Sequence, residues 1–212
     1  MTFLPSLSVI SVFTLASIML AITPGPDMTL FLGRTLMGGR RLGFAAMLGA
    51  STGLLVHATL AGFGLSALIA ASPAAFTVLK IIGAAYLLFL AAQAIRHGSA
   101  LNVSGSAAVA SVWNTYLTGL GINLSNPKVI MFYITFLPQF VGADDPGASG
   151  KLLFLGFYFL LIGVPVAALI IVVAGRFIDV MRSNPKAMRI FDYGFAALMC
   201  GFAARLLTTQ GR

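Results

Sequence analysis

Long apolar runs recur from Leu7 to Leu207, and only short polar stretches separate them. A helix needs about 20 residues to cross a hydrocarbon layer about 30 Å thick. Barrel strands run to about 10 residues and alternate in polarity. The runs here are too long and too evenly apolar for strands. Of the 212 residues, 59% are hydrophobic and 8% charged, where a soluble domain carries about 25% charged. That leaves too little polar surface to cover a globule in water. The chain reads as an all-α polytopic membrane protein, a single transmembrane domain over residues 1–212.

Six spans are predicted: about Leu7–Gly33, Leu42–Ala70, Phe76–Ile95, Trp113–Phe140, Leu152–Gly175 and Ile190–Leu207. The first is broken at Thr23–Pro26 and the fourth at Asn126-Pro127, while Pro165 is expected to kink the fifth. The second is expected to end at Ser72-Pro73. Residues 99–112, small and containing Ser and Gly, form the expected cytoplasmic connection between a first half (about 1–98) and a second (about 113–212). The first run lacks the basic start of a signal peptide.

The net charge is +8, but the basic residues sit singly or in short loops between apolar runs. They read as topology determinants and not as a nucleic-acid footprint. Arg34, Arg40, Arg41, Arg96, Arg176, Arg182, Lys186 and Arg189 fall on one side. Lys80, Lys151, Arg205 and Arg212 fall on the other, with the acids Asp144 and Asp145. The expectation is a bacterial inner-membrane protein with both termini periplasmic. Cys200 is the only cysteine, and His57 and His97 are the only histidines. No intrachain disulfide is available, and no clustered metal-ligand set. Gly49 with Gly53, and Gly39 with Gly43, have the spacing that lets helices approach closely. They make a homodimer credible.

The two breaks are alike. Thr23-Pro24-Gly25-Pro26-Asp27 and Asn126-Pro127-Lys128 each put a polar residue before a proline and a charge directly after one. They occupy the same ordinal position in two halves of three spans. The second half must then be inverted, giving two inverted three-helix repeats with helices 1 and 4 broken. Interrupted spans at matching positions point to a transporter's central site.

A helix broken in lipid leaves backbone groups that protein, water or ligand must satisfy. Thr23 is expected to cap a helix restarted at Pro24, and Pro26 still falls in its first turn. Gly25 would let a ligand approach the backbone. Asn126 and Pro127 repeat the arrangement. Each restarted helix offers a partial positive end suited to a carboxylate. Asp27 and Lys128 are the ionisable residues most plainly inside spans, where charge is expensive and usually functional. Asp27 would receive a substrate ammonium or a proton. Lys128 would pair with Asp27 or with a substrate carboxylate, or the two would form a structural salt bridge. Asn123, Ser125 and Asn126 are candidates to line the same polar zone. His57 would relay protons or donate, neutral, to another helix. Tyr86, Tyr116 and Tyr133 read as core or interface, and Trp113 as an interfacial anchor. The phenylalanines across spans three to five read as mostly core or lipid-facing and are assigned no substrate role. Asp192 is read as lying near a membrane end, and Arg40-Arg41 as an orientation signal with contacts to Asp179 or Asp192.

These residues resemble the LysE/RhtB family of bacterial amino-acid exporters. The resemblance rests on Thr23-Pro24-Gly25-Pro26-Asp27, the basic loop Gly38–Gly43, and Gly49–Gly53 with His57. It extends through Lys80–Leu88, Asn126-Pro127-Lys128 and Phe136-Leu137-Pro138-Gln139-Phe140, covering nearly the whole chain in order. Asp27 is a departure, since many members carry Asn there. The resemblance implies export of amino acids or related small metabolites from the cytoplasm, driven by the proton gradient. No Walker sequence occurs, so no ATP site is expected.

The function read from the sequence is a proton-coupled secondary exporter, an antiporter. It would work by alternating access around a mid-membrane site between Thr23–Asp27 and Asn126–Lys128. The partners expected are a small zwitterionic solute, protons and membrane lipid, without nucleic acid, cofactor or metal. A channel and a sensory or structural membrane protein are the competing readings. Paired carboxylates and a zinc-ligand cluster are missing, which argues against an intramembrane enzyme.

Overall fold

The computed structural model describes residues 5–65, 67, 73–97, 111–142 and 145–208. The connection expected over 99–112 lies outside them except for its last two residues. So do Ser72, Asp144 and Arg212. Nine α-helices form the described part: α1 (Leu7–Ile22), α2 (Pro26–Gly38), α3 (Arg40–Leu60), α4 (Pro73–His97), α5 (Val112–Ser125), α6 (Pro127–Met131), α7 (Ala148–Val172), α8 (Ala174–Ser183) and α9 (Pro185–Thr208). A π-helical turn extends α3 over Ala61–Leu65. A second, Phe132–Phe136, follows α6 and runs into a 3₁₀ turn at Leu137–Phe140.

The expectation of six spans in two inverted halves is not met. Among the described residues, three helical stretches are long and apolar enough to cross a membrane: Arg40–Leu65, Ala148–Val172 and Pro185–Ala204. There are four if α1 and α2, bent by 51° at their break, make one span. The cause is that apolar sequence length is not helix length. In the expected fourth span, Asn126-Pro127 ends α5 after 14 residues, or about 21 Å at about 1.5 Å per residue. Only the five residues of α6 and two irregular turns follow. In α4 (Pro73–His97), the apolar stretch among the described residues is Ile81–Arg96, about 24 Å by the same rise. The scheme of two equal halves falls with the count.

Two further expectations change. The basic residues Arg176 and Arg182 were expected in a loop but lie on α8, and Lys186 and Arg189 lie in the first turns of α9. Only Val173 separates α7 from α8. The apolar side of α8 (Ala174, Phe177, Ile178) packs on Met28 and Leu32 of α2 and Ile170 of α7. Arg40 contacts neither acid proposed for it. Its Nη2 donates to the Val172 carbonyl at 2.8 Å, satisfying an end of α7 that has lost its helical partner.

Small residues set the helix packing. α3 lies closely along α5, and α4 along α9. A Cβ added at Gly49 would collide with the Tyr116 carbonyl, and one at Gly119 with the Ala46 carbonyl. Gly39 differs from the other small residues. It has φ +78° and open space around it, so it serves the left-handed turn between α2 and α3 and not packing.

The second π-helical turn has a local cause. Pro138 lacks an N–H, and its ring would meet the carbonyl four residues back. The ladder widens before it, and the Leu137 N–H donates to the Phe132 carbonyl. The widened turn turns Phe132 and Phe136 toward Phe13, each 6.0 Å between centroids. Phe202 of α9 joins Phe136 edge-on at 4.5 Å. This aromatic cluster holds the irregular segment against α1 and α9.

Candidate functional site

The site begins with two prolines. Pro24 cannot donate to the carbonyl of Leu20, and Pro127 cannot donate to that of Asn123. Both carbonyls are then orphans inside an apolar protein, where each needs another donor. Lys128 Nζ donates to Leu20 O at 2.8 Å and to Thr23 O at 2.7 Å. His57 Nε2 reaches Asn123 O at 3.3 Å, and the Asn126 N–H reaches the same oxygen at 3.1 Å.

The helix restarts as expected at the second break but not at the first. Asn126 Oδ1 accepts from the Lys128 N–H at 3.0 Å with Pro127 at the first helical position. At the first break Thr23 is no N-cap. It closes α1, and its Oγ1 donates back to Met19 O at 2.6 Å. Pro24 lies between the helices, and α2 starts at Pro26 behind Gly25, which offers no side-chain cap. The hydroxyl of Thr23 finds a nearer acceptor one turn back, so it is spent on the helix that ends.

Asp27 falls in the first turn of α2, where the helix dipole favours a carboxylate. Its Oδ2 accepts from Asn123 Nδ2 at 2.8 Å and from Asn126 Nδ2 at 3.1 Å. Its Oδ1 is buried without a partner. Asp27 and Lys128 do not hydrogen-bond each other, so the direct salt bridge weighed from the sequence does not form. Carbonyls take the ammonium, and amides take the carboxylate.

A cavity of about 90 Å³ opens beside these groups. Thr23, Gly25, Asp27, Asn123, Asn126 and Lys128 all line it. The remaining wall is mostly apolar and comes from α2, α3 and α7, including Phe31, Met47, Ala50, Phe159 and Ile170. A few convergent polar groups in an apolar cavity are the usual form of a small-molecule site.

Two predicted site residues stand apart. Ser125 is exposed and donates to Gly121 O at 2.8 Å. His57 does not line the cavity; it stacks on Tyr133 at 5.6 Å while supporting the Asn123 carbonyl. The breaking prolines Pro24, Pro26 and Pro127 also lie off the wall and act through the backbone. Phe159, given no substrate role, is part of the wall, as is Phe31. The contribution of α7 was not foreseen. Phe159, Gly163, Ala167 and Ile170 line the cavity, and their spacing is one face of a helix. Asp192 is buried, 2% exposed.

The broken helices, the apolar spans and the buried carboxylate and ammonium on one cavity define a multi-pass membrane transporter of small solutes. The LysE type translocator family model matches residues 18–210. The chain belongs to this family, and it is a transporter and not an enzyme. It is 30% identical over 198 residues to the homoserine/homoserine lactone efflux protein of Salmonella typhimurium (strain LT2), covering 93% of this chain and 95% of that one. It has the same identity and coverage with the protein of that name from Salmonella typhi. An uncharacterized membrane protein of Vibrio cholerae is 34% identical over 129 residues, 61% of this chain and 63% of its own. No solved structure matches.

Proposed function

We propose that the protein is a secondary active exporter of amino acids or closely related small metabolites, coupled to protons. It works by alternating access around the cavity between Thr23–Asp27 and Asn126–Lys128. The observation that carries this is the separated pair. Asp27 and Lys128 share one cavity wall, yet neither is the other's hydrogen-bond partner. A solute bearing both an ammonium and a carboxylate complements such a pair. Asp27 Oδ1 is free to accept from the ammonium. Lys128 uses two of its three donors, leaving one for a carboxylate. The positive end of α2 already holds Asp27, so Lys128 is the better carboxylate site. The names of the Salmonella relatives support an amino-acid solute and efflux as the direction. We further propose the bacterial cytoplasmic membrane as its location. If α1 and α2 form one span, the described residues hold four, an even number that puts both termini on one side; the basic residues favour the periplasm.

Reconstitution in proteoliposomes tests this reading. Labelled homoserine, threonine, leucine and lysine are offered with and without an imposed pH gradient. At least one is expected to show saturable, gradient-driven flux with counterflow. No gradient-sensitive flux for any of them would sink the proposal, and non-saturating flux without counterflow would indicate a channel. In the same assay Asp27→Asn is expected to lower apparent affinity about 10- to 100-fold, the worth of a charge-assisted bond. Unchanged affinity and full accumulation would remove Asp27 from the binding set.

A further inference from the structure

Lys128 borders a second space. A smaller cavity of about 10 Å³ lies on the α1 side of the first break, with room for about one water. Ala16 of α1, Tyr86 and Leu90 of α4, Phe136 and Met199 line it. The main cavity lies on the α2 side, against Asp27, Met28 and Phe31. Leu20 and Lys128 line both. The main cavity also takes Ala21 and Thr23 at the end of α1, so it spans the break while the smaller one lies further along α1, with the Lys128 side chain in their shared wall.

That part of the wall is built to move. Its ammonium is held by two backbone carbonyls, at 2.8 and 2.7 Å, and a carboxylate is a stronger acceptor for an ammonium than a neutral carbonyl. The lysine stem has four carbons and freely rotating donors. The π-helical turn that starts four residues on supplies Phe132 and Phe136 to the far cavity, and such turns gather at functional sites.

We propose that Lys128 is the gate of a solute path that runs from the main cavity into the smaller one along the broken span. At rest the ammonium is latched to Leu20 O and Thr23 O and closes the path. A solute carboxylate arriving in the main cavity takes the ammonium from these carbonyls, and the side chain leaves the shared wall. This rests on the amino-acid reading given above, and it adds the direction of passage through the molecule and the residue that controls it.

Thiol labelling in proteoliposomes tests the gate. Cys200→Ser removes the only native thiol. Leu90→Cys then reports the far cavity and Ala50→Cys the main one, with a methanethiosulfonate ethylammonium reagent on the side from which Ala50→Cys reacts. With Lys128 present, Leu90→Cys is expected to react slowly, and L-homoserine to speed it about tenfold by shifting the gate's population. Lys128→Ala is expected to give the fast rate without homoserine, and Lys128→Arg to stay slow. Ala50→Cys should react alike in all of them, which shows that each variant is folded. A slow Leu90→Cys in Lys128→Ala with Ala50→Cys still reactive overturns the gate. If Lys128→Ala does not fold, the homoserine arm decides alone, and no acceleration overturns it. Flux is read separately, so homoserine transport with an unresponsive Leu90→Cys sinks the gate and spares the exporter. An open Leu90→Cys in Lys128→Ala, together with no flux of any amino acid through protein that retains Lys128, keeps the gate and sinks the exporter.

Discussion

At the first break the carbonyl freed by a proline is that of Leu20, and a lysine ammonium from another helix occupies it. At the second the freed carbonyl is that of Asn123, and an imidazole N–H together with the Asn126 N–H occupies it. The second break also caps its own restarted helix, through Asn126 Oδ1. The first has no such cap. Its carbonyls depend on Lys128, and its carboxylate depends on Asn123 and Asn126. The second break is thus nearly self-sufficient, while the first is assembled by the second. An arrangement in which one break supplies the other's polar partners couples the positions of the two.

The strongest way to break this comparison is Lys128→Met, which keeps an unbranched apolar stem and removes the ammonium. Two carbonyls lose their donor, at about 1–3 kcal/mol each. Relief from burying a charge offsets part of that. A net loss of about 2–4 kcal/mol corresponds to a fall of about 5–15 °C in thermal midpoint for a chain of this size. His57→Ala is the matched change at the second break. The Asn123 carbonyl keeps the Asn126 N–H, so the loss is about 1 kcal/mol, or about 2–4 °C. His57→Gln, which can still donate, should recover most of it. Both are read from the unfolding of purified protein in detergent by circular dichroism. Equal losses at the two positions would mean that the breaks do not differ in self-sufficiency.

This asymmetry is also where reading the sequence alone stops. The prolines at 24, 26 and 127 locate both breaks, because a missing N–H is a local property that needs no fold to interpret. The Asn126 cap is legible for the same reason. Thr23 misleads, because a threonine beside a proline can serve either the helix before it or the one after it. The span count fails in a related way: hydrophobicity measures what lipid tolerates, not where a helix stays continuous, and α5 and α6 divide a run that is mostly apolar. The partners of Lys128 depend on contacts across about a hundred residues of chain, which no local pattern encodes. The cavity face of α7 has a helical period, yet nothing in Phe159, Gly163 and Ala167 says which side of that helix meets a solute.

Asp145, outside the breaks, gives the smallest effect and calibrates the others. Its carboxylate accepts from Lys151 Nζ and from the Gly147 N–H before α7. The Lys151 hydrogen bond first, then the Gly147 N–H, holds its carboxyl below the usual range. A depressed carboxyl stabilises the fold above its unfolded value of about 3.9, and that contribution is lost as pH falls through the lower folded value. Asp145 and Lys151 are both part-exposed, so water is a ready alternative partner and Asp145→Asn should cost no more than about 1–2 °C near neutrality. The difference between parent and variant should shrink as pH falls below the unfolded value and vanish below the lower folded one. Midpoints of the pair measured from pH 7 downward check both the size and the sign. A loss as large as that of His57→Ala would mean that solvent access is not what separates the breaks from the surface, and the cost assigned to the orphaned carbonyls would need another cause.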